Sequence, residues 1–175
     1  MILRIALIGP ESTAKSTLSE QLARHYNTLW VPEYARTYLE NMTAPYTKDD
    51  VLAITRGQLK SEEEKLKQAN KLLFADTELI IASVWLIDKF GDCPQWINDK
   101  ILKYEYDLYL LTRPDLPFED DPLRENPLRR EFFFDWYRRE LEDRDFNYRI
   151  VEGENDARLK NAIRFTDELI SGKHI

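Results

Sequence analysis

Gly9-Pro10-Glu11-Ser12-Thr13-Ala14-Lys15-Ser16 follows the apolar run Ile5-Ala-Leu-Ile8 and precedes a helix-like segment, Thr17 to Tyr26. Strand, glycine-led loop and helix, in that order, form the context that a phosphate-binding loop of pattern G-x-x-x-x-G-K-[S/T] requires. Backbone N–H groups of such a loop curl around phosphate oxygens, and the helix N-terminus adds partial positive charge. On this reading Gly9, Pro10, Glu11, Ser12, Thr13, Ala14, Lys15, Ser16 and Thr17 cradle a nucleotide. Lys15 reaches the β- and γ-phosphates, and the Ser16 hydroxyl ligates Mg²⁺. Ala14 stands where the second glycine of the pattern belongs. A positive φ there would cost Ala about 1 kcal/mol. The negative φ of a first helical turn would cost nothing. The plain alternative is a chance Gly…Lys-Ser turn at an ordinary helix start, and it leaves the agreement of strand, loop length and helix to coincidence.

The chain has 175 residues, 43% of them hydrophobic and 33% charged, which suits one domain with a substantial core. A formal charge of −7, with no basic block, argues against nucleic acid and for a small ligand in a local cationic pocket. Cys93 is the only cysteine, so an intramolecular disulfide is excluded and a reducing compartment is expected. No apolar stretch approaches the roughly 20 residues of a membrane span. The opening Met-Ile-Leu-Arg-Ile-Ala-Leu-Ile-Gly runs straight into the loop rather than forming a signal sequence. A cytoplasmic protein with no membrane partner is expected, its oligomeric state open.

Apolar β-rich runs alternate with amphipathic stretches, the pattern of a parallel sheet flanked by helices. Strands are predicted at Arg4–Ile8, Leu29–Val31, Leu72–Ala75, Leu108–Leu111 and Tyr148–Val151. Helices are predicted at Lys15–Tyr26, Ala35–Glu40, Lys48–Asn70, Leu79–Phe90, Pro94–Tyr104, Arg124–Asp143 and Asp156–Ser171. The fold class is therefore α/β: one phosphate-loop domain over 1–175, with a five-stranded parallel sheet and helices on both faces.

In such sheets ligands bind beyond the carboxyl ends of the strands, which here are acidic. Glu33, after the second strand, suits a general base that takes a proton from an attacking hydroxyl, or a helix-start carboxylate facing the macrodipole. Asp76, after the third, suits a partner of Mg²⁺, or a cap for the next helix. Either carboxylate could be the base. The fourth strand runs into Thr112-Arg113-Pro-Asp-Leu-Pro-Phe118-Glu-Asp120-Asp121-Pro-Leu-Arg124, then Arg129-Arg130. Prolines exclude continuous helix there, so a lid-like loop over about 113–130 is expected. Arginines on such a lid would stabilise charge on a transferring phosphoryl group, although most charge runs are solvated and salt-bridged. The aromatic run Phe132-Phe-Phe-Asp-Trp-Tyr137 reads as helix core before ligand stacking.

Taken together, these segments resemble the kinase domain of NadR-type proteins, which phosphorylate nicotinamide riboside. The likeness rests on Gly9 to Ser16, Glu33-Tyr34-Ala-Arg36, Arg56-Gly-Gln58, Asp76-Thr77-Glu78 and Phe118-Glu-Asp120-Asp121-Pro-Leu-Arg124, from Ile5 to about Arg130. It implies ATP and Mg²⁺ as cofactors and transfer of the γ-phosphoryl group to a ribose 5′-hydroxyl. Lys15, Glu33, Asp76 and Arg124 would be catalytic, with Arg129 a further candidate for phosphoryl charge. Ser16 and Asp76 would serve the metal. Glu33, Arg36, Gln58, Phe118, Asp120 and Asp121 would contact a nucleoside-like substrate. Glu78 replaces a usual Asp and Phe118 a usual Trp, and Phe is the weaker cation–π partner. Another nucleoside or a vitamin-like alcohol stays open as acceptor. So does a regulatory ATPase in which Gln58 would orient water, or a binding module without turnover. The family's adenylyltransferase uses a His-containing motif that His25 and His174 do not form, so no second activity is expected.

Overall fold

The computed structural model describes residues 2–103 and 106–172. Five strands, β1 (Leu3–Ile8), β2 (Leu29–Val31), β3 (Leu72–Asp76), β4 (Leu108–Thr112) and β5 (Tyr148–Val151), form one sheet in the order β2-β3-β1-β4-β5. Every pairing is parallel. β1 lies at the centre, with Leu3 opposite Leu72 of β3 and Ile8 opposite Leu111 of β4. The central strands are mostly apolar, with Arg4 in β1 and the polar ends Asp76 of β3 and Thr112 of β4 as exceptions, because both faces are covered, as in parallel sheets generally.

The helices are α1 (Lys15–His25), α2 (Tyr34–Glu40), α3 (Lys48–Leu66), α4 (Leu79–Phe90), α5 (Gln95–Lys103), α6 (Arg130–Asp143) and α7 (Asn155–Gly172). Alternate strand residues divide between two cores. Leu3, Ile5, Leu7 and Phe74 pack with Leu18 and Leu22 of α1 and Ala162 of α7. Ala6, Ile8, Leu73 and Tyr109 pack with Leu59 of α3, Ile80 and Val84 of α4, and Phe134 and Tyr137 of α6. Local chemistry sets the ends. Thr47 and Asp50 close a capping box at the start of α3, and Gly91, at φ 84°, closes α4 in the left-handed conformation.

The sequence reading is accurate for fold class and for the five strands, and short by one residue at several strand ends. Two helices differ more. The helix expected over Arg124–Asp143 begins only at Arg130, because Pro127 keeps Asn126 out of the helical region. The helix expected to Asn70 stops at Leu66, and Lys71 takes φ 61° to turn the chain into β3. Tyr104, the expected end of the fifth helix, and His174 lie outside the described residues. Among the described residues no helix is long and apolar enough to cross a membrane.

Candidate active site

The loop after β1 is shaped by close packing against the end of β4. A Cβ on Gly9, whose φ is 152°, would overlap the hydroxyl and carbonyl of Thr112. Thr112 Oγ1 in turn lies 2.7 Å from Thr13 Oγ1, which donates to the Pro10 carbonyl at 2.8 Å. From α7, buried Arg158 donates to the Thr13, Val151, Gly153 and Arg113 carbonyls and pairs with Asp115. The loop is thus buttressed from the sheet and from the far helix.

Ala14, the cap of α1, has φ 60° and ψ 27°, so the missing glycine stood at a left-handed position. That conformation costs an L-residue roughly 1–2 kcal/mol. Ser12 (φ 54°) and Thr77 (φ 78°) are left-handed as well, so strained backbone gathers around Lys15. Lys15 Nζ donates to the Pro10 carbonyl at 2.8 Å. Burial lowers the Lys15 pKa, while Glu33 and Asp76 oppose the shift.

Glu33 caps α2 by position, yet its side chain makes no cap hydrogen bond. The free N–H of Tyr34 is taken instead by Gln58 Oε1 at 2.8 Å, which leaves the Glu33 carboxylate facing the cavity. Burial raises the Glu33 pKa, with Asp76 adding to it and Lys15 and Arg36 opposing. Asp76 does not cap α4. That role falls to Glu78, which accepts from Ile80 N at 2.8 Å and Ile81 N at 3.3 Å. Asp76 is only 1% exposed. Burial raises its carboxyl and Lys15 and the Ser16 hydroxyl bond oppose this, yet Oδ1 has no hydrogen-bond partner among the described residues. A buried orphan acceptor beside the loop serine fits a divalent cation. No group of three or more His, Cys, Asp or Glu among the described residues could hold a metal alone. Phosphate oxygens and water would complete the shell.

Two hollows meet at this floor. One, of about 220 Å³, runs along Glu11 to Thr17 and is walled by Arg36, Leu116, Glu119 and Arg124. The other, of about 340 Å³, is lined by Leu39, Met42, Tyr46, Thr77, Trp85, Phe133 and Tyr137 together with the charged Asp88, Lys89 and Glu125. Lys15 and Glu33 border both. A groove along the phosphate loop and a chamber of mixed polar and aromatic lining therefore share a lysine and a carboxylate.

The expected site residues separate on this geometry. Lys15, Glu33, Arg36 and Arg124 border the hollows, and Asp76 lies buried against the floor. Arg124 is steadied by the Glu119 carbonyl at 2.8 Å. Gln58 borders neither; its amide meets the Tyr34 N–H and the Asp76 and Thr77 carbonyls. Asp121 is engaged by Arg36 at 3.0 Å and by the Leu123 N–H at 2.9 Å. Phe118 lies under Arg130, 5.9 Å from the guanidinium, and neither it nor exposed Asp120 borders a hollow. Arg129 points away from the phosphate groove and grips Asp88 at 2.6 and 3.1 Å. The segment 113–129 is a loop whose Glu125 and Asn126 N–H groups bond Glu11 of the phosphate loop. Sequence reasoning missed Tyr46, Thr77, Trp85 and Asp88. Phe133 and Tyr137, read as core, are buried and also line the chamber. The one available signal was the Asp76-Thr77-Glu78 motif, whose middle residue enters the wall.

The chain matches, over residues 4–158, a family described as an AAA domain. It is 26% identical, over 95% of its length, to the trifunctional NAD biosynthesis/regulator protein NadR of Salmonella typhimurium, and equally to that of Escherichia coli. It spans 42% of the length of those relatives. The crystal structure of NadR in complex with NR superposes with a TM-score of 0.79 at 25% identity, covering 96% of this chain and 51% of that one. A deoxyadenosine kinase from M. mycoides shares the fold, with a TM-score of 0.63 at 13% identity over 95% of this chain and all of its own. The resemblance drawn from the motifs is borne out.

Proposed function

Since the chain belongs to the AAA domain family and carries the phosphate-loop fold of nucleoside kinases, we propose that it is an ATP-dependent nucleoside kinase. The reading is that it transfers the γ-phosphoryl group to a ribose 5′-hydroxyl, with nicotinamide riboside, giving nicotinamide mononucleotide, as the acceptor. One observation carries it: the groove along the phosphate loop and the adjoining chamber share Lys15 and Glu33. A donor in the groove and an alcohol in the chamber would meet where a cation and a base already stand. Likeness to NadR, solved with NR, supports the choice of acceptor.

ATP lies along Gly9–Thr17, its phosphates on backbone N–H groups and the N-terminus of α1. Lys15 exchanges the Pro10 carbonyl for phosphate oxygens. Arg124 faces the same groove and offsets charge as the phosphoryl group transfers. Asp76 and Ser16 would hold Mg²⁺, which would neutralise charge developing on the phosphoryl group. That leaves Glu33, which reaches the chamber, to accept the hydroxyl proton. Gln58 acts at one remove, fixing the Tyr34 N–H so that the Glu33 carboxylate stays in the floor. Its engagement with backbone also argues against a Gln58-directed water and thus for transfer to an alcohol. Donor in the groove and acceptor in the adjoining chamber would be held in line across Lys15 and Glu33, which is most of what phosphoryl transfer asks of a protein.

The test is ADP release from ATP·Mg²⁺ with and without a panel of nucleosides that includes nicotinamide riboside. ADP formed only with one nucleoside supports the kinase and names its acceptor, and Lys15→Ala should abolish that turnover while keeping the fold. Acceptor-independent ADP release would favour a regulatory ATPase. Binding of ATP without turnover would favour a degenerate module.

A further inference from the structure

Glu125 and Asn126 sit between the two hollows and are held from both sides. Their backbone N–H groups donate to Glu11 of the phosphate loop, Glu125 N to Oε1 at 3.1 Å and Asn126 N to Oε2 at 2.9 Å. The Glu125 carboxylate receives Lys89 Nζ at 2.6 Å and the Tyr46 hydroxyl at 3.0 Å. The Tyr46 oxygen accepts from Trp85 Nε1 at 3.1 Å, so the chain of bonds ends in the aromatic wall of the chamber. The next loop residue adds to the seam: Ser12 Oγ accepts from Glu119 N at 3.2 Å, and the Ser12 carbonyl accepts from Arg130 at 3.2 Å. Pro122, Leu123, Glu125 and Asn126 themselves line the chamber.

A carboxylate on a phosphate-binding loop is electrostatically awkward, because it faces the same anion that the loop collects. Glu11 adds to the field that keeps Lys15 charged, yet it would repel a bound polyphosphate. Its two oxygens are committed instead to two successive N–H donors of the 113–129 segment, a charge-assisted pair of bonds. Its neighbour Pro10 supplies the carbonyl that holds Lys15. When phosphate draws Lys15 from that carbonyl, the peptide that adjusts is the one bearing Glu11.

We infer that Glu11 is a positioning residue that couples nucleotide on the loop to closure of the 113–129 segment over the acceptor chamber. For the identity of the two ligands this rests on the kinase reading above. The coupling itself rests on the Glu11–Glu125–Asn126 seam.

Amide hydrogen exchange across residues 119–126 of the full chain tests it, in wild type, Glu11→Ala and Glu11→Gln, each with and without AMP-PNP·Mg²⁺. In wild type the nucleotide should slow exchange there roughly tenfold, within the usual range of site-to-site coupling. At saturating AMP-PNP the segment of Glu11→Ala should exchange quickly and ignore the nucleotide. Glu11→Gln, which keeps one carbonyl acceptor, should fall between. With nicotinamide riboside as acceptor and ATP saturating, Glu11→Ala should raise the acceptor KM about tenfold. An Ala variant whose segment still slows with AMP-PNP as wild type does would overturn the proposal. So would one that binds AMP-PNP weakly but keeps the wild-type acceptor KM, since Glu11 would then belong to the donor site alone. If wild type phosphorylates no nucleoside, the kinase reading falls and the exchange comparison still decides the coupling.

Discussion

A methyl group on residue 14 occupies a left-handed backbone site, φ 60° and ψ 27°, at the turn from phosphate loop to helix. Glycine there would relieve roughly 1–2 kcal/mol of strain, but it would also free the unfolded chain by about 0.4–1 kcal/mol. The strain is the larger quantity. Ala14→Gly should therefore stabilise the protein by somewhat under 1 kcal/mol, raising the melting temperature by about 2 °C. A lower melting temperature in a thermal scan would show that the loop holds no such strain. The pattern told which residue type was missing, but a sequence does not state φ, so the sign of the effect needed the fold. Glu78 is a second case. Burial pushes its carboxyl up to about 8, with Glu62 adding and the Ile80 and Ile81 N–H groups opposing. The folded state thus keeps a proton that the unfolded chain loses near the ordinary carboxylate range. Folded chains bind more protons between those two values, so stability should fall as pH rises from about 4.5 to about 8 and then level off. Glu78→Gln, which keeps an acceptor for the helix N–H groups, should flatten that slope. Urea midpoints of the metal-free protein at pH 5 and pH 8 measure it, and equal slopes in the two proteins would refute the assignment.

Helices α2 and α3 show how one element positions a side chain at the start of another, here the proposed base Glu33. A Cβ on Gly57 would overlap the Tyr34 ring, so glycine is what lets that ring lie flat against α3. One residue on, Gln58 holds the Tyr34 N–H. Together they seat Glu33, which carries no cap bond of its own. Gly57→Ala should then separate stability from activity. Alanine is the better helix former by about 0.5–1 kcal/mol, and Tyr34, 36% exposed, can swing outward. Melting should shift little while nucleoside-dependent turnover falls roughly tenfold, about 1.4 kcal/mol of lost positioning. A fully active variant would mean that the ring does not hold Glu33 in place. The strands and most helices were legible because their signals are local, apolar runs for the strands and amphipathic stretches for the helices; the start of α6 was not. Nor was the chamber wall. Tyr46, Trp85 and Asp88 come from a connection and a helix whose aromatic and apolar spacing is the same whether it faces a core or a cavity. Phe118 failed for the converse reason, since a motif shows a residue type and not which side of a loop it takes.

At the scale of the molecule, the candidate site lies at the C-terminal ends of the strands of a sheet whose central strand is β1. A parallel sheet and the acidic ends of β2 and β3 could be foreseen, because the alternation of runs and the phosphate loop point to them, whereas the strand order could not. What ties the far half of the sheet to the loop could not, because Arg158 lies in the last helix, 145 positions from its partner Thr13. Its guanidinium, 3% exposed, gathers the Thr13, Arg113, Val151 and Gly153 carbonyls and the Asp115 carboxylate. Burial lowers the pKa of Arg158 and Asp115 counters this, so the charge is retained where it bridges loop, β4 and β5. Arg158→Met keeps most of the packing volume and removes every donor. Unsatisfied buried acceptors cost about 1–3 kcal/mol each, not additively, and Asp115 can turn partly to water. A loss of about 3 kcal/mol is expected, a large share of the 5–15 kcal/mol typical of a domain. Asp115→Asn, which leaves the carbonyls bonded, should lose about 1 kcal/mol. Because Thr13 belongs to the phosphate loop, Arg158→Met should also weaken AMP-PNP binding, whereas Asp115→Asn should not. The ligand stabilises wild type by about 2.7 kcal/mol at a hundredfold excess over its Kd, and the same concentration should stabilise Arg158→Met by less. Urea unfolding with and without AMP-PNP reads both effects. An Arg158→Met protein with wild-type stability and an undiminished AMP-PNP increment would mean that the loop is shaped by β1 and β4 alone.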